Sequence, residues 1–222
     1  MILCLVTDRR RLGAACGAAE SRFEDLLLAQ VEGAVSGGVD LVQVREPDLG
    51  GAALAALVRR IVRDVPEARS RLVVNDRLDV ALAAGASGVH LRERSLGVAA
   101  ARGLVPTGFR IGASVHDADG ATARRAADYL IAGTVLPTSS KATDRYLGWE
   151  GLSRVVAASG GRPVLGIGGL TLDTVGPLAA TGAAGVAAIG VFIPGHATEL
   201  RSFMKQQVEQ LRLAIDSTHP VP

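Results

Sequence analysis

Short apolar runs alternate with longer amphipathic stretches along almost the whole chain. The runs at 2–6, 40–45, 72–74, 88–91, 110–113, 129–132, 164–167 and 185–189 are built largely from Val, Ile, Leu and Ala and read as buried strands. Between them, 23–35, 52–65, 78–84, 95–103, 118–127, 150–159, 172–180 and 197–215 space their apolar residues as helices do. Ser21 is placed to cap the first of these helices, and Gly37-Gly38 to stop it. Residues 9–19 read as a loop and 216–222 as a frayed tail. Eight strands alternating with eight helices require parallel pairing, because parallel neighbours need helical crossovers. A chain of 222 residues then fits a closed (β/α)8 TIM barrel at the small end of its range. The alternative is a doubly wound open sheet, but no dinucleotide-binding glycine fingerprint follows the first strand. The expected class is therefore α/β, with a single barrel domain over 1–215 and a flexible tail over 216–222. A weak internal repeat agrees. At 38–45, 86–92, 126–133 and 182–190 small residues lead into an apolar run, at intervals of ~40–55 residues, the length of two β/α units.

Composition narrows the picture. Hydrophobic residues make up 48% of the chain and aromatics only 3%, so small and branched side chains must do the packing. The formal net charge of +2 argues against a nucleic-acid partner, although a local basic patch such as Arg9-Arg10-Arg11 can still hold an anion. Cys4 and Cys16 fit no metal-ligand spacing and imply no disulfide framework. The apolar start is too short for a signal peptide, and no apolar run approaches the ~18 residues of a membrane span. These features predict a soluble, cytoplasmic protein with no membrane partner. They leave homo-oligomerisation open.

Chemistry is sought where a barrel places it, at the C-terminal ends of the strands. The residues just after each apolar run are Thr7-Asp8, Gln43 and Arg45, Asn75-Asp76, Arg92-Glu93, Ser114 and His116, Thr134 with Thr138 to Lys141, Gly168-Gly169, and Ile189-Gly190. Most are polar or glycine. The segment Pro137-Thr-Ser-Ser-Lys141 sets three hydroxyls, Thr138, Ser139 and Ser140, beside one mobile cation, which suits a phosphate or pyrophosphate ester. Gly168, Gly169 and Gly190 follow the seventh and eighth strands, where this fold often holds phosphate on backbone N–H groups. The same glycines would equally serve tight turns. Arg45 could take a second phosphate and Asn75 a heterocycle. Asp76 could bind Mg²⁺, although one carboxylate needs phosphate oxygens to complete the shell. An Arg45–Asp76 ion pair across the barrel mouth is the purely structural alternative. His116 is a candidate acid or base, His90 reads as structural, and His196 and His219 as solvated. Two anion sites on one face suggest a reaction between two phosphorylated small molecules.

Seven segments together resemble the thiamine-phosphate synthase/TenI family. They are 41–46 (Leu-Val-Gln-Val-Arg-Glu), 73–82 (Val-Val-Asn-Asp-Arg-Leu-Asp-Val-Ala-Leu), 88–91 (Gly-Val-His-Leu), 111–116 (Ile-Gly-Ala-Ser-Val-His), 137–141, 166–171 (Gly-Ile-Gly-Gly-Leu-Thr) and 182–187 (Gly-Ala-Ala-Gly-Val-Ala). They occur in the family's order and cover nearly the whole chain. The resemblance implies a (β/α)8 barrel that couples hydroxymethylpyrimidine diphosphate with thiazole phosphate to give thiamine phosphate and pyrophosphate. It implies contacts to the pyrimidine and diphosphate from Gln43, Arg45 and Asn75, one Mg²⁺ ligand at Asp76, and further pyrophosphate contacts from Ser114 and Lys141. Thiazole phosphate would lie on Thr138 to Ser140, Gly168, Gly169, Ile189 and Gly190. Two positions depart from the synthase pattern. Pro47 stands where a lysine is usual, and Ser95 where a second Mg²⁺ aspartate is usual, with Arg92, Glu93 and Arg94 close by in sequence. The resemblance also covers thiazole tautomerases, which move protons on a thiazole carboxylate phosphate. Their histidine position is Thr134 here, so His116 would have to serve. A non-catalytic binder of thiazole or thiamine phosphate is the remaining reading.

Overall fold

The eight apolar runs do form strands, and each pairs in parallel with its neighbours in sequence until the last closes on the first. The computed structural model describes residues 1–138, 145–195 and 199–218, with the side chains of 215–218 excepted. Ser139, Ser140, Lys141, His196 and His219 lie outside the described residues. The strands are β1 (Ile2–Val6), β2 (Leu41–Val44), β3 (Leu72–Asn75), β4 (Gly88–Leu91), β5 (Arg110–Val115), β6 (Tyr129–Gly133), β7 (Val164–Ile167) and β8 (Gly185–Ala188). The helices are α1 (Arg9–Ala15), α2 (Phe23–Ser36), α3 (Gly51–Asp64), α4 (Leu78–Ala84), α5 (Val98–Arg102), α6 (Ala118–Ala123), α7 (Gly148–Ala158), α8 (Val175–Ala180) and α9 (Leu200–Thr218). The chain is a closed (β/α)8 barrel.

Alternation along each strand divides the core in two. Leu3 and Leu5, Val42 and Val44, Leu72 and Val74, Val89 and Leu91, and Ile111 and Ala113 belong to the shell packed beneath the helices. Cys4, Val6, Leu41, Val73, Tyr129, Ile131, Leu165 and Ala187 form a second cluster inside the barrel. Gly112 makes room there, since a Cβ at that position would collide with the Tyr129 ring. Strand register then aligns the upper inward positions. Val6 lies opposite Gln43, Asn75 opposite His90, Ser114 opposite Ile131, and Gly133 opposite Ile167.

Four expectations need correction. Ser21 does not cap α2, because it sits inside a short 3-10 turn over Glu20–Arg22 and Arg22 takes the N-cap position with no side-chain bond. Residues 9–19 are not all loop, because the Asp8 side chain accepts a hydrogen bond from the Arg11 N–H at 3.0 Å and starts α1. The helix expected over 95–103 begins only at Val98, since the Ser95 hydroxyl is engaged with the Asp76 carboxylate and the Arg92 N–H instead. The tail expected from 216 continues as helix to Thr218. In α9, the backbone at Arg201 and Lys205 comes close to Gly33 and Gly37 of α2, where a side chain would intrude.

Candidate active site

The inward alternation continues past the strand ends, and it builds the site. Val6 and Asp8, Gln43 and Arg45, Asn75, His90 with Arg92 and Arg94, Ser114 and His116, Ile131 and Gly133, and Ile167 and Ile189 all line one cavity of about 560 Å³. Where one strand supplies more than one residue, the positions step by two, so one geometric rule selects them. Glu93, Thr134, Thr138 and Gly168 complete the lining from the loops. Of the expected site residues, the cavity collects Gln43, Arg45, Asn75, Ser114, His116, Thr138, Gly168 and Ile189.

At its floor the polar groups hold one another. The Gln43 amide donates to Asn75 Oδ1 at 3.0 Å, which leaves the Asn75 NH2 and the Gln43 carbonyl for a ligand. His90 is not a bystander. It lines the cavity with its Nε2 2.9 Å from Ser114 Oγ and its Nδ1 3.3 Å from the Tyr129 hydroxyl. Burial pushes the imidazole down to about 3, so the ring is neutral at ordinary pH. The inward parity of β4 was the signal that could have placed His90 in the site.

Arg45 is set by a buried network. Its N–H donates to Thr7 Oγ1 at 3.0 Å, and Thr7 donates to Glu46 Oε1 at 2.6 Å. Glu46 also accepts from the Arg9 backbone and pairs with its guanidinium at 3.3 Å. Burial drives the Glu46 carboxyl up, against the hydrogen bonds and the arginine that favour its charge.

Asp76 does not pair with Arg45. It has φ 64°, a left-handed turn that Asp tolerates, and its N–H donates to the His90 carbonyl. The turn takes its carboxylate out of the cavity lining and onto Arg92 at 3.4 Å and the Ser95 hydroxyl. Among the described residues no group of three or more His, Cys, Asp or Glu gathers to hold a metal. A divalent cation fits at Asp76 only if ligand oxygens supply most of its shell.

His116 directs Nδ1–H to the Gly133 carbonyl, and its Nε2 lies 3.8 Å from Glu93. Thr134, where the tautomerase histidine would stand, lines the same wall.

A second cavity, of about 640 Å³, adjoins the first at Thr138, Ile167, Gly168 and Ile189. Gly169 and Gly190 line it, with Thr171 and Arg11. Gly168 and Gly169 have φ of 101° and 66°, and a Cβ on either would strike Thr134 or the Leu136–Pro137 backbone. These positions therefore demand glycine for the turn and also leave backbone open to the cavity.

Other proteins carry the same pattern. The sequence profile of the family described as thiamine monophosphate synthase matches residues 5–192. A thiamine-phosphate synthase of Chlorobium luteolum is 36% identical over 201 residues, 89% of this chain and 88% of its own. One of Azorhizobium caulinodans is 36% identical over 214 residues, 95% of this chain and 96% of its own. Among solved structures, a thiamine phosphate pyrophosphorylase from Pyrococcus furiosus superposes with a TM-score of 0.77 at 31% identity, covering 98% of this chain and 96% of that one. With its barrel, the profile match and these relatives in agreement, the chain belongs to the thiamine monophosphate synthase family.

Proposed function

We propose that this chain couples hydroxymethylpyrimidine diphosphate to thiazole phosphate, giving thiamine phosphate and pyrophosphate. The observation that carries the reading is the pair of adjoining cavities on one face. One has arginines and amides, the other open glycine backbone, and they share Thr138 and Gly168. Two phosphorylated reactants held there would meet at the shared wall, so positioning lowers the barrier.

In this reading Gln43 and Asn75 orient the pyrimidine through the amide groups they leave free. The bond between the pyrimidine methylene and the diphosphate oxygen breaks, and its electron pair leaves with pyrophosphate. Arg45, Lys141 and the Ser114 hydroxyl take up the charge that develops on that oxygen. The thiazole nitrogen then gives its lone pair to the pyrimidine carbocation and closes the new C–N bond. Gly168, Gly169, Ile189 and Gly190, with Thr138, Ser139 and Ser140, hold the thiazole phosphate. No net proton transfer is needed. Mg²⁺, held by Asp76 and the diphosphate, would neutralise part of the leaving group's charge. The free cysteines, buried Cys4 and half-buried Cys16, suit the reducing cytoplasm.

The test is incubation with both substrates and Mg²⁺, with thiamine phosphate as the readout. A thiazole carboxylate phosphate assay runs beside it, because His116 lines the cavity and favours the tautomerase as second reading. Tautomer conversion without thiamine phosphate would replace the synthase reading. No turnover in either assay would leave a binder.

A further inference from the structure

Three arginines follow β1 in succession, and their fates differ. Arg9 is buried and pairs with Asp48 at 2.7 Å as well as with Glu46. Arg10 pairs with Asp48 at 2.7 Å and Glu20 at 2.8 Å. The Arg11 guanidinium has no hydrogen bond and no ion pair among the described residues, although its backbone is fixed by the Asp8 cap. It reaches across the β8–β1 seam instead. A Cβ placed on Gly190 would sit 3.6 Å from Arg11 Nη2 and 4.0 Å from Nη1. Arg11 is the only cationic residue among the described residues that line the second cavity. The cavity's one described carboxylate, Asp173, is exposed, where water and salt screen it.

We propose that Arg11 is a ligand-binding residue that grips the phosphate of the second substrate from beside Gly190. The inference rests on the two-cavity reading above and adds a residue to it. Glycine N–H groups alone offer dipoles. A dianionic phosphate held only by dipoles keeps much of its net charge unmatched. Among the described lining residues of this cavity, none but Arg11 can match that charge, and its planar fork fits two phosphate oxygens at once. The fork lies within van der Waals reach of Gly190, so a phosphate on that backbone would be within reach of it. Arg9 and Arg10 occupy Glu46, Asp48 and Glu20, so among the described residues the Arg11 guanidinium stays unpaired. The cation thus selects the phosphorylated thiazole over its free alcohol, a preference that neutral N–H groups would express more weakly.

Binding of thiazole phosphate, of the unphosphorylated thiazole alcohol and of inorganic phosphate is measured by calorimetry on wild type, Arg11→Ala and Arg11→Lys. Arg11→Ala is expected to weaken thiazole phosphate and inorganic phosphate by about 10- to 100-fold, with Arg11→Lys between it and wild type. Affinity for the alcohol should stay within about twofold, and coupling kcat at saturating thiazole phosphate should be unchanged while KM rises. Among the described residues the Arg11 guanidinium has no bond to lose, so the melting temperature of Arg11→Ala should match wild type. Equal affinity of wild type and Arg11→Ala for both phosphate probes overturns the proposal, as does an equal loss for the alcohol. If wild type makes no thiamine phosphate yet Arg11→Ala still loses phosphate selectively, the synthase reading fails and the anion site stands. If wild type couples and Arg11→Ala keeps its KM, the reverse holds.

Discussion

His90 Nε2 lies 2.9 Å from Ser114 Oγ, with the Tyr129 hydroxyl on the other ring nitrogen. A phenol is the stronger donor, so we assign the Tyr129 O–H to Nδ1, which leaves the proton on Nε2 to donate to Ser114. Ser114 then has its own O–H free to point into the cavity. The ring stays neutral because burial holds it near 3. Ser114→Ala should therefore lower coupling kcat by about 10²-fold or more, the scale of one lost donor at a developing oxyanion. His90→Gln, whose amide nitrogen can take the place of Nε2, should retain more activity than His90→Leu. Steady-state kinetics on the three variants decides it; equal rates for the two His90 variants would remove the positioning role.

Arg45 lines the first cavity and not the second. Arg45→Ala should lower coupling kcat by about 10²-fold while thiazole phosphate binds as in wild type. Calorimetry with thiazole phosphate alone, beside turnover assays, separates the two effects. A parallel loss of thiazole phosphate affinity would show that the cavities do not divide the substrates.

Asp48, in the loop after β2, supplies an acid-sensitive contact. Hydrogen bonds from Arg9, then from Arg10, hold its carboxyl well below the usual carboxylate range. A carboxyl lowered in the folded state stabilises above its unfolded value, near 3.8, and loses that contribution as pH falls through the acid range below it. Asp48→Asn should melt lower than wild type at pH 7 by about 2–4 °C, the size of about 1 kcal/mol in a partly exposed pair. The gap should narrow from about pH 4 downward. Thermal melts of both proteins from pH 7 to pH 2.5 check the sign; a gap that widens in acid contradicts it.

The barrel was legible because parallel strands buried on both faces write themselves as short apolar runs, as at 164–167, and because glycines punctuate them. The site was partly legible for a related reason. Strand ends on one face of a barrel converge, so Gln43, Asn75 and Ser114 could be named from their positions alone. His90 was missed because an apolar run hides which of its members faces inward until register is known; the pairing of Asn75 with His90 supplies that. Helix α1 was missed because its start depends on one side-chain bond from Asp8, and three arginines in a row resemble a solvated loop. The Arg92 contact to Asp76 could not be read either. It joins residues 16 apart through a turn whose positive φ no apolar pattern encodes.

Ser95 and Pro47 stand where the resemblance implies an aspartate and a lysine, and the structure gives Ser95 a definite neighbour. Its hydroxyl engages the Asp76 carboxylate, so a carboxylate at 95 would lie beside Asp76. Two adjacent carboxylates bind a divalent cation better than one, and without the cation they repel each other. Pro47 is exposed and lies outside the cavity lining, so a lysine there has room to extend from the loop after β2. Ser95→Asp should therefore lower the Mg²⁺ concentration that half-saturates coupling, by about 10-fold. Ser95→Asp with Pro47→Lys should raise kcat above wild type. Mn²⁺ binding followed by electron paramagnetic resonance gives a readout independent of turnover and should tighten in Ser95→Asp. Unchanged Mn²⁺ affinity would mean that Arg92 blocks the position, and the Ser95→Asp, Arg92→Gly protein should then gain it.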